Sequence, residues 1–259
     1  MPEIKVITSK DNPLIKLVCG LQSSAKTRKN EGLFVLEGLR ICDDACDNSI
    51  KFDKLIISKT AKEKYSNDLL KFYKNAVEIF EIPDSLFQKI SDTSSPQGVI
   101  AVVKIPSLSP EILKNGRYIA LENLNDPSNL GAISRTAEAL GVSGIILSKD
   151  SVDPYAPKSL RASMGTLLRM PVIILDDFVN DIKASGLSVY ACVVDSCARP
   201  ITDVSFSDGS ILLIGNEANG LTFSAKEMAD ERITIPMRGN AESFNAATAA
   251  AISMWEMMK

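Results

Sequence analysis

The side chains best able to do chemistry stand just beyond apolar runs. Glu217 lies in the glycine-bounded loop Gly215-Asn216-Glu217-Ala218-Asn219-Gly220, which breaks the run Ile211 to Ile214. Asn129 and Arg135 follow the run Tyr118 to Leu121, on either side of the first turns of a helix that Asp126 and Pro127 are suited to start. Glu242, Ser243 and Asn245 stand at the mouth of a small-residue helix, shortly after Ile233-Thr234-Ile235-Pro236-Met237. Loops that leave buried strands are where an open α/β sheet meets its ligands. Proline at 236 lacks an N–H and ends its strand, which leaves neighbouring backbone groups free for a ligand. Three loops of this kind could line one pocket.

The chemistry open to these groups is bounded by an absence, because the chain contains no histidine. Ser-His and Cys-His nucleophiles, most catalytic zinc sites and imidazole acid–base chemistry are excluded. Catalysis must run on Arg, Lys, Glu, Asp, Asn, Ser, Tyr or a cofactor. The spacing of Gly215 and Gly220 superficially resembles a phosphate-binding P-loop, but Leu221 stands where that motif requires lysine. The first turn of the second half, Asn125 to Gly131, carries no G-x-G-x-x-G, so a dinucleotide site is not supported either. Asn129 and Arg135 are six residues apart, about 600° of helical rotation, or roughly 120° in azimuth. They can serve one site only if Asn129 lies at the helix end.

The elements that must position these groups follow from periodicity. Residues 12 to 31 read as one helix with the apolar stripe Leu14, Leu17, Val18 and Leu21, and with Lys16, Lys26, Arg28 and Lys29 on the other face. Strands are expected at 33–36, 54–57, 77–80 and 97–103, alternating with helices, which makes a small α/β sandwich domain. The prolines and serines of 105–110 interrupt the pattern. The expected division is therefore a domain of residues 1–104, a linker at 105–112 and a second domain at 113–259. In the second, strands at 118–121, 144–147, 172–175, 188–194, 211–214 and 232–235 separated by helices read as a parallel sheet buried on both faces. Phe244, Ala247, Thr248, Ala251 and Trp255 form a helical stripe expected in the core or at a subunit interface.

Composition sets the remaining limits. The 259 residues are 45% hydrophobic and 24% charged, as in an ordinary globular protein. No apolar run reaches the roughly 18 residues of a membrane span, and the start lacks an apolar signal core, so a cytoplasmic protein without membrane attachment is expected. The five cysteines have no metal-type spacing; reduced, mostly buried thiols and no bound metal are expected. Net charge is −3, which gives no global attraction for nucleic acid. Residues 1 to 40 are locally rich in Lys and Arg, a face suited either to phosphate or simply to solvent.

Three motifs in order resemble the SPOUT class of S-adenosylmethionine-dependent RNA methyltransferases, and within it the TrmH/SpoU ribose 2′-O-methyltransferases. They are Asn125-Asp126-Pro127-x-Asn129-x-Gly131-Ala132-x-x-Arg135, then Leu213-Ile214-Gly215-Asn216-Glu217-x-x-Gly220-Leu221, then Ile235-Pro236-Met237-x-Gly239 through Glu242-Ser243-Phe244-Asn245-Ala246. The likeness covers residues from about 113 to 259. Phe34-Val35-Leu36-Glu37-Gly38 and Ser95-Pro96-Gln97-Gly98 resemble the RNA substrate-binding domain often fused to these enzymes.

The resemblance implies a C-terminal parallel-sheet domain with a deep trefoil knot, a homodimer, and S-adenosyl-L-methionine bound in the knot loops. It implies Leu213, Gly215, Ile235, Met237, Phe244 and Asn245 as cofactor-binding positions, and Asn129, Arg135, Glu217, Ser243 and Asn245 as catalytic ones. Phe244 stands where leucine is common and Ala246 where valine is, which reshapes an apolar wall and removes no polar group. The implied activity is 2′-O-methylation of structured RNA, ribosomal RNA ahead of transfer RNA. The alternatives are an RNA-binding or ribosome-assembly protein on the same fold that has lost catalysis, and a small-molecule or base methyltransferase.

Overall fold

The computed structural model describes residues 3–106 and 110–259; Ser107, Leu108 and Ser109 of the expected linker lie outside the described residues. The described chain divides into two compact units. One comprises the residues up to 106 together with Tyr155–Leu168, and the other the residues from 110 to Pro154 with Arg169–Lys259.

In the first unit the elements run β1 (Ile4–Val6), α1 (Pro13–Ser23), α2 (Ala25–Glu31), β2 (Leu33–Glu37), α3 (Leu39–Asp47), β3 (Phe52–Ser58), α4 (Lys59–Lys64), α5 (Ser66–Asn75), β4 (Ala76–Ile82), α6 (Asp84–Ile90) and β5 (Val99–Lys104). The sheet order is β1-β4-β3-β5-β2, with β1, β4 and β3 parallel and β5 antiparallel to both of its neighbours. Leu14, Ile15, Val18 and Leu21 of α1 pack with Leu86, Phe87 and Ile90 of α6 over Ile56, Phe80, Ile100 and Val102. The Tyr155 ring packs 5.0 Å from that of Phe34, and Arg161 pairs with Asp92 at 2.7 Å. These contacts seat the helix Pro157–Ser163 in this unit, although chain order sets it within 113–259.

The single helix expected over 12–31 is two. Asn12 caps the first, accepting from Leu14 N at 2.9 Å, but Ser24 leaves helical geometry to cap the second, accepting from Thr27 N at 3.2 Å. A serine that offers its hydroxyl to the backbone favours a cap over a helix interior. The break also withdraws Arg28 from the expected basic face. It is only 5% exposed and donates from Nη1 to Leu21 O at 2.6 Å, so the cation satisfies carbonyls at the end of α1 instead of facing water. The thiols depart from expectation as well: all five are free, but only Cys42 is buried, and burial pushes its pKa up.

The second unit contains β6 (Arg117–Leu121), α7 (Pro127–Leu140) and β7 (Gly144–Ser148). Past helices α8 (Pro157–Ser163) and α9 (Thr166–Arg169) come β8 (Val172–Leu175), α10 (Phe178–Ser185), β9 (Ser188–Cys192), β10 (Arg199–Pro200), β11 (Ser210–Ile214), α11 (Phe223–Met228), β12 (Glu231–Thr234) and α12 (Ala246–Met258). All pairings in the sheet are parallel, in the order β10-β12-β9-β11-β6-β7-β8. β7 and β11 are buried at every residue, as expected for strands covered on both faces.

From β6 the chain steps outward to β7 and β8, then crosses to β9 and returns to place β11 beside β6. The strand order therefore reverses between β6 and β11, and a crevice at their carboxyl ends is the expected ligand site. Helix α12 packs against α7, β11 and β6. Its buried face is Ala246, Ala250, Ser253, Met254 and Met257. The stripe expected to be core or interface is turned away from that core, with Trp255 57% and Phe244 38% exposed.

Candidate active site

The β6–α7 connection is shaped by its own polar groups. Asn123 adopts a left-handed conformation with φ 53°, accepting at Oδ1 from Ser148 Oγ at 3.1 Å, while its N–H donates to the same oxygen at 2.8 Å. Asp126 caps α7 by accepting from Ser128 N at 2.8 Å, and Pro127 takes the first helical position. Asn129 is consequently in the first turn of α7, the helix-end placement that allows it and Arg135 to serve one site.

Opposite lies the loop after β11. Gly215 is pressed against the returning strand of this loop: a Cβ there would sit 2.1 Å from the Gly220 carbonyl carbon and 2.2 Å from Leu221 N. Asn216 and Gly220 exchange backbone hydrogen bonds at 3.1 and 2.9 Å, closing the loop on itself. Gly220 holds φ 66°, a conformation that favours glycine. Asn216 Oδ1 accepts from the N–H groups of Ala218 and Asn219, and its Nδ2 donates to Asn123 O at 2.7 Å.

Glu217 joins the two segments. Its Oε1 accepts from Asn129 Nδ2 at 2.8 Å and from Asp126 N at 3.0 Å, and Oε2 accepts from Asn125 N at 3.1 Å. Asn129 Oδ1 in turn accepts from Asn245 Nδ2 at 3.0 Å. Asn245 caps α12 through Oδ1, which accepts from Ala247 N at 2.9 Å and Thr248 N at 3.3 Å. Residues from three separate motifs thus form one chain of hydrogen bonds. Partial burial disfavours the Glu217 carboxylate, but the bonds from Asn129 and from nearby backbone N–H groups outweigh it and hold the pKa below the ordinary value.

That depression fixes the sign of a pH effect. The stabilisation from ionised Glu217 is complete above the pKa of an unfolded glutamate, about 4.3, and is lost as the pH falls through the lower folded-state value. Glu217→Gln replaces one accepting oxygen by a donor that faces a donor. The variant is expected to be less stable than the parent at neutral pH and to show a shallower loss of Tm on acidification. Parallel Tm-against-pH curves for the two proteins, offset by a constant, would contradict the role given to this carboxylate.

Beside this chain lies a cavity of about 440 Å³, within the roughly 300–1,000 Å³ usual for ligand pockets. Gly215, Glu217, Ile235, Met237, Ser243 and Phe244 line it. Leu213 is in the core of the sheet, and Asn129, Asn245 and Arg135 do not line the cavity. Asn129 is linked to it through Glu217, and Asn245 through Asn129 and its own neighbours Phe244 and Ala246. Arg135 is exposed on α7, and its guanidinium has no hydrogen-bond or ion-pair partner among the described residues.

The cavity has a wall that sequence reasoning missed, Cys192 to Asp195 together with Lys226 and Arg232. The β-branched Val193 and Val194 prolong the strand signal, whereas β9 ends at Cys192 and the following residues turn into the pocket. Strand ends around an apolar wall of Ile235, Met237, Leu221 and Phe244, with carboxylates and a hydroxyl at the rim, suit a ligand with both a flat apolar part and charged groups. An adenosine joined to a sulfonium amino acid is such a ligand. Among the described residues no cluster of His, Cys, Asp or Glu is arranged to hold a metal, and no helix is long and apolar enough to cross a membrane.

A parallel sheet with a polar cluster at its switch point and a ligand-sized cavity beside it defines a ligand-binding α/β protein. The chain belongs to the SpoU rRNA Methylase family, whose model matches residues 116–255. Residues 12–101 match an MRM3-like substrate binding domain. A 23S rRNA uridine 2′-O-methyltransferase of Streptomyces viridochromogenes is 28% identical over 100% of this chain and 93% of its own length. A 23S rRNA guanosine 2′-O-methyltransferase of Bacillus subtilis is 28% identical over 90% of this chain and 91% of its own. The crystal structure of an AdoMet-bound rRNA methyltransferase from Sinorhizobium meliloti is similar with a TM-score of 0.85 and 29% identity, covering 98% of this chain and 97% of that one.

Proposed function

We propose that this protein transfers the methyl group of S-adenosyl-L-methionine to a ribose 2′-hydroxyl of structured RNA, with ribosomal RNA the preferred substrate. The observation that carries this reading is the position of Glu217, which lines the cavity and simultaneously holds Asn129 and, through it, Asn245. The two relatives named for 23S rRNA 2′-O-methylation and the AdoMet-bound neighbour support it.

The cofactor, when bound, supplies a methyl group on a positively charged sulfur. Gly215, Ile235, Met237 and Phe244 hold it, with Leu213 shaping the strand beneath and Ser243 at the rim. Transfer then needs in-line positioning of the 2′-oxygen and loss of its proton. Arginine stays protonated at any ordinary pH, so Arg135 grips a substrate phosphate and polarises the hydroxyl, and that phosphate assists deprotonation. Glu217, Asn129 and Asn245 orient these partners.

Residues 1–104 serve as the RNA-binding domain and 113–259 as the methyltransferase domain; the substrate-binding match at 12–101 supports that division. The chain returns after β12, at the far side of β9, to bring α12 back against β11 and β6, the course a knotted C-terminus requires. The outward face of α12, with the exposed Trp255, is the surface for a second copy in a homodimer. The ribosomal RNA substrate of the two relatives supports a cytoplasmic site of action.

Incubation with methyl-labelled cofactor and, separately, 23S rRNA and transfer RNA tests the substrate. Label is expected in the ribosomal RNA. Label confined to transfer RNA would move the substrate class, and none in either would favour an RNA-binding protein without catalysis.

A further inference from the structure

The loop from Gly215 to Thr222 is tied to the β6–α7 connection at three points. Asn216 and Glu217 make two of them. The third lies at the far end of the loop and takes no part in the site described so far. Glu122, the residue after β6, is only 5% exposed. Its Oε2 accepts from Thr222 N at 2.8 Å and its Oε1 from Thr222 Oγ1 at 2.7 Å. The Glu122 N–H donates to Ile214 O at 2.9 Å, so the same residue also meets the loop's beginning.

A carboxylate is retained in a protein interior only where donors compensate its lost hydration. Side-chain packing alone would be served as well by an apolar residue of similar volume. A buried carboxylate whose two oxygens are both satisfied by one residue at a loop terminus fixes the position of that terminus. Thr222 is also the cap of α11, accepting from Ala225 N at 3.2 Å. The clamp therefore sets where the loop stops and the helix starts, and with it the approach of Gly220 and Leu221 to Gly215.

We infer that Glu122 is a positioning residue for the cofactor loop: by holding Thr222 it keeps Gly215 and Glu217 in register with the cavity. The inference rests on reading that cavity as the cofactor site. The clamp acts on binding through the loop, since neither Glu122 nor Thr222 lines the cavity.

The test uses the full-length protein and S-adenosylhomocysteine as probe, with affinity read by calorimetry. Glu122→Gln keeps both bonds, its amide oxygen accepting from Thr222 N and its amide nitrogen donating to Oγ1, and is expected to bind within about twofold of the parent. Glu122→Met keeps the volume and loses both bonds, and Thr222→Val loses the hydroxyl bond to Glu122 together with the cap on Ala225 N; each is expected to weaken binding at least about tenfold, the scale of one charged hydrogen bond. Thr222→Ser should restore it. Amide exchange in Glu122→Met is expected to quicken at 215–222 and to stay unchanged in β7 and β8. A general loss of packing would instead speed exchange across the sheet and leave Glu122→Gln no better than Glu122→Met, which would overturn the inference.

Should Glu122→Met fail to fold, Thr222→Val, at an exposed position, still decides. Parental affinity in Thr222→Val would overturn the clamp while leaving the cofactor reading intact. A parent protein that binds no S-adenosylhomocysteine would overturn both.

Discussion

Gly215→Ala is expected to weaken cofactor binding by about a hundredfold, some 2.7 kcal/mol, and to lower Tm by several degrees. The added methyl would lie 2.1 and 2.2 Å from the backbone of Gly220 and Leu221, and backbone cannot step aside as a flexible side chain can. The loop is further closed by the paired hydrogen bonds of Asn216 with Gly220, so relief requires opening the turn that forms one wall of the cavity. Overpacking of this kind costs about 1–3 kcal/mol of stability. Calorimetric titration with the cofactor, beside thermal unfolding by circular dichroism, measures both effects. Parental affinity in a folded Gly215→Ala protein would mean that the cofactor does not sit against this loop.

The second large effect separates chemistry from binding. Arg135→Ala is expected to slow methyl transfer by about 10²- to 10³-fold, the usual consequence of removing one preorganised charged donor, while cofactor affinity stays at the parental value. Arg135 is exposed and outside the cavity wall, so nothing in the cofactor site depends on it. Arg135→Lys should recover only part of the rate, because an ammonium lacks the planar fork that suits a phosphate. Single-turnover rates with saturating RNA measure the effect, and an unchanged rate in Arg135→Ala would refute the role.

Much of this arrangement was legible in the chain itself. Asp126 and Pro127 announce the start of α7, and that alone places Asn129 in a helix's first turn. The apolar runs locate the strands and put Glu217 in the loop after one of them, but that this loop lies beside β6 follows from the sheet order alone. Other features had no local signature. Helix α12 is apolar almost all round, so periodicity could not choose its buried face, and the stripe through Trp255 proved to be the outward one. The split at Ser24 depends on a hydroxyl choosing a backbone partner over the helix ladder, and the burial of Arg28 follows from that split. Glu122 and Thr222 lie 100 residues apart, and only the pairing of β6 with β11 brings them together.

The alkali stability of the modified RNA shows most directly which atom receives the methyl group. Alkaline cleavage of RNA uses the 2′-oxygen as nucleophile, so a methyl on that oxygen protects the adjoining phosphodiester. Ribosomal RNA labelled by this protein from methyl-labelled cofactor is expected to yield its label in an alkali-resistant dinucleotide, and to yield far less in the same time with Arg135→Ala. Label released in single nucleotides would place the methyl on a base and contradict the account.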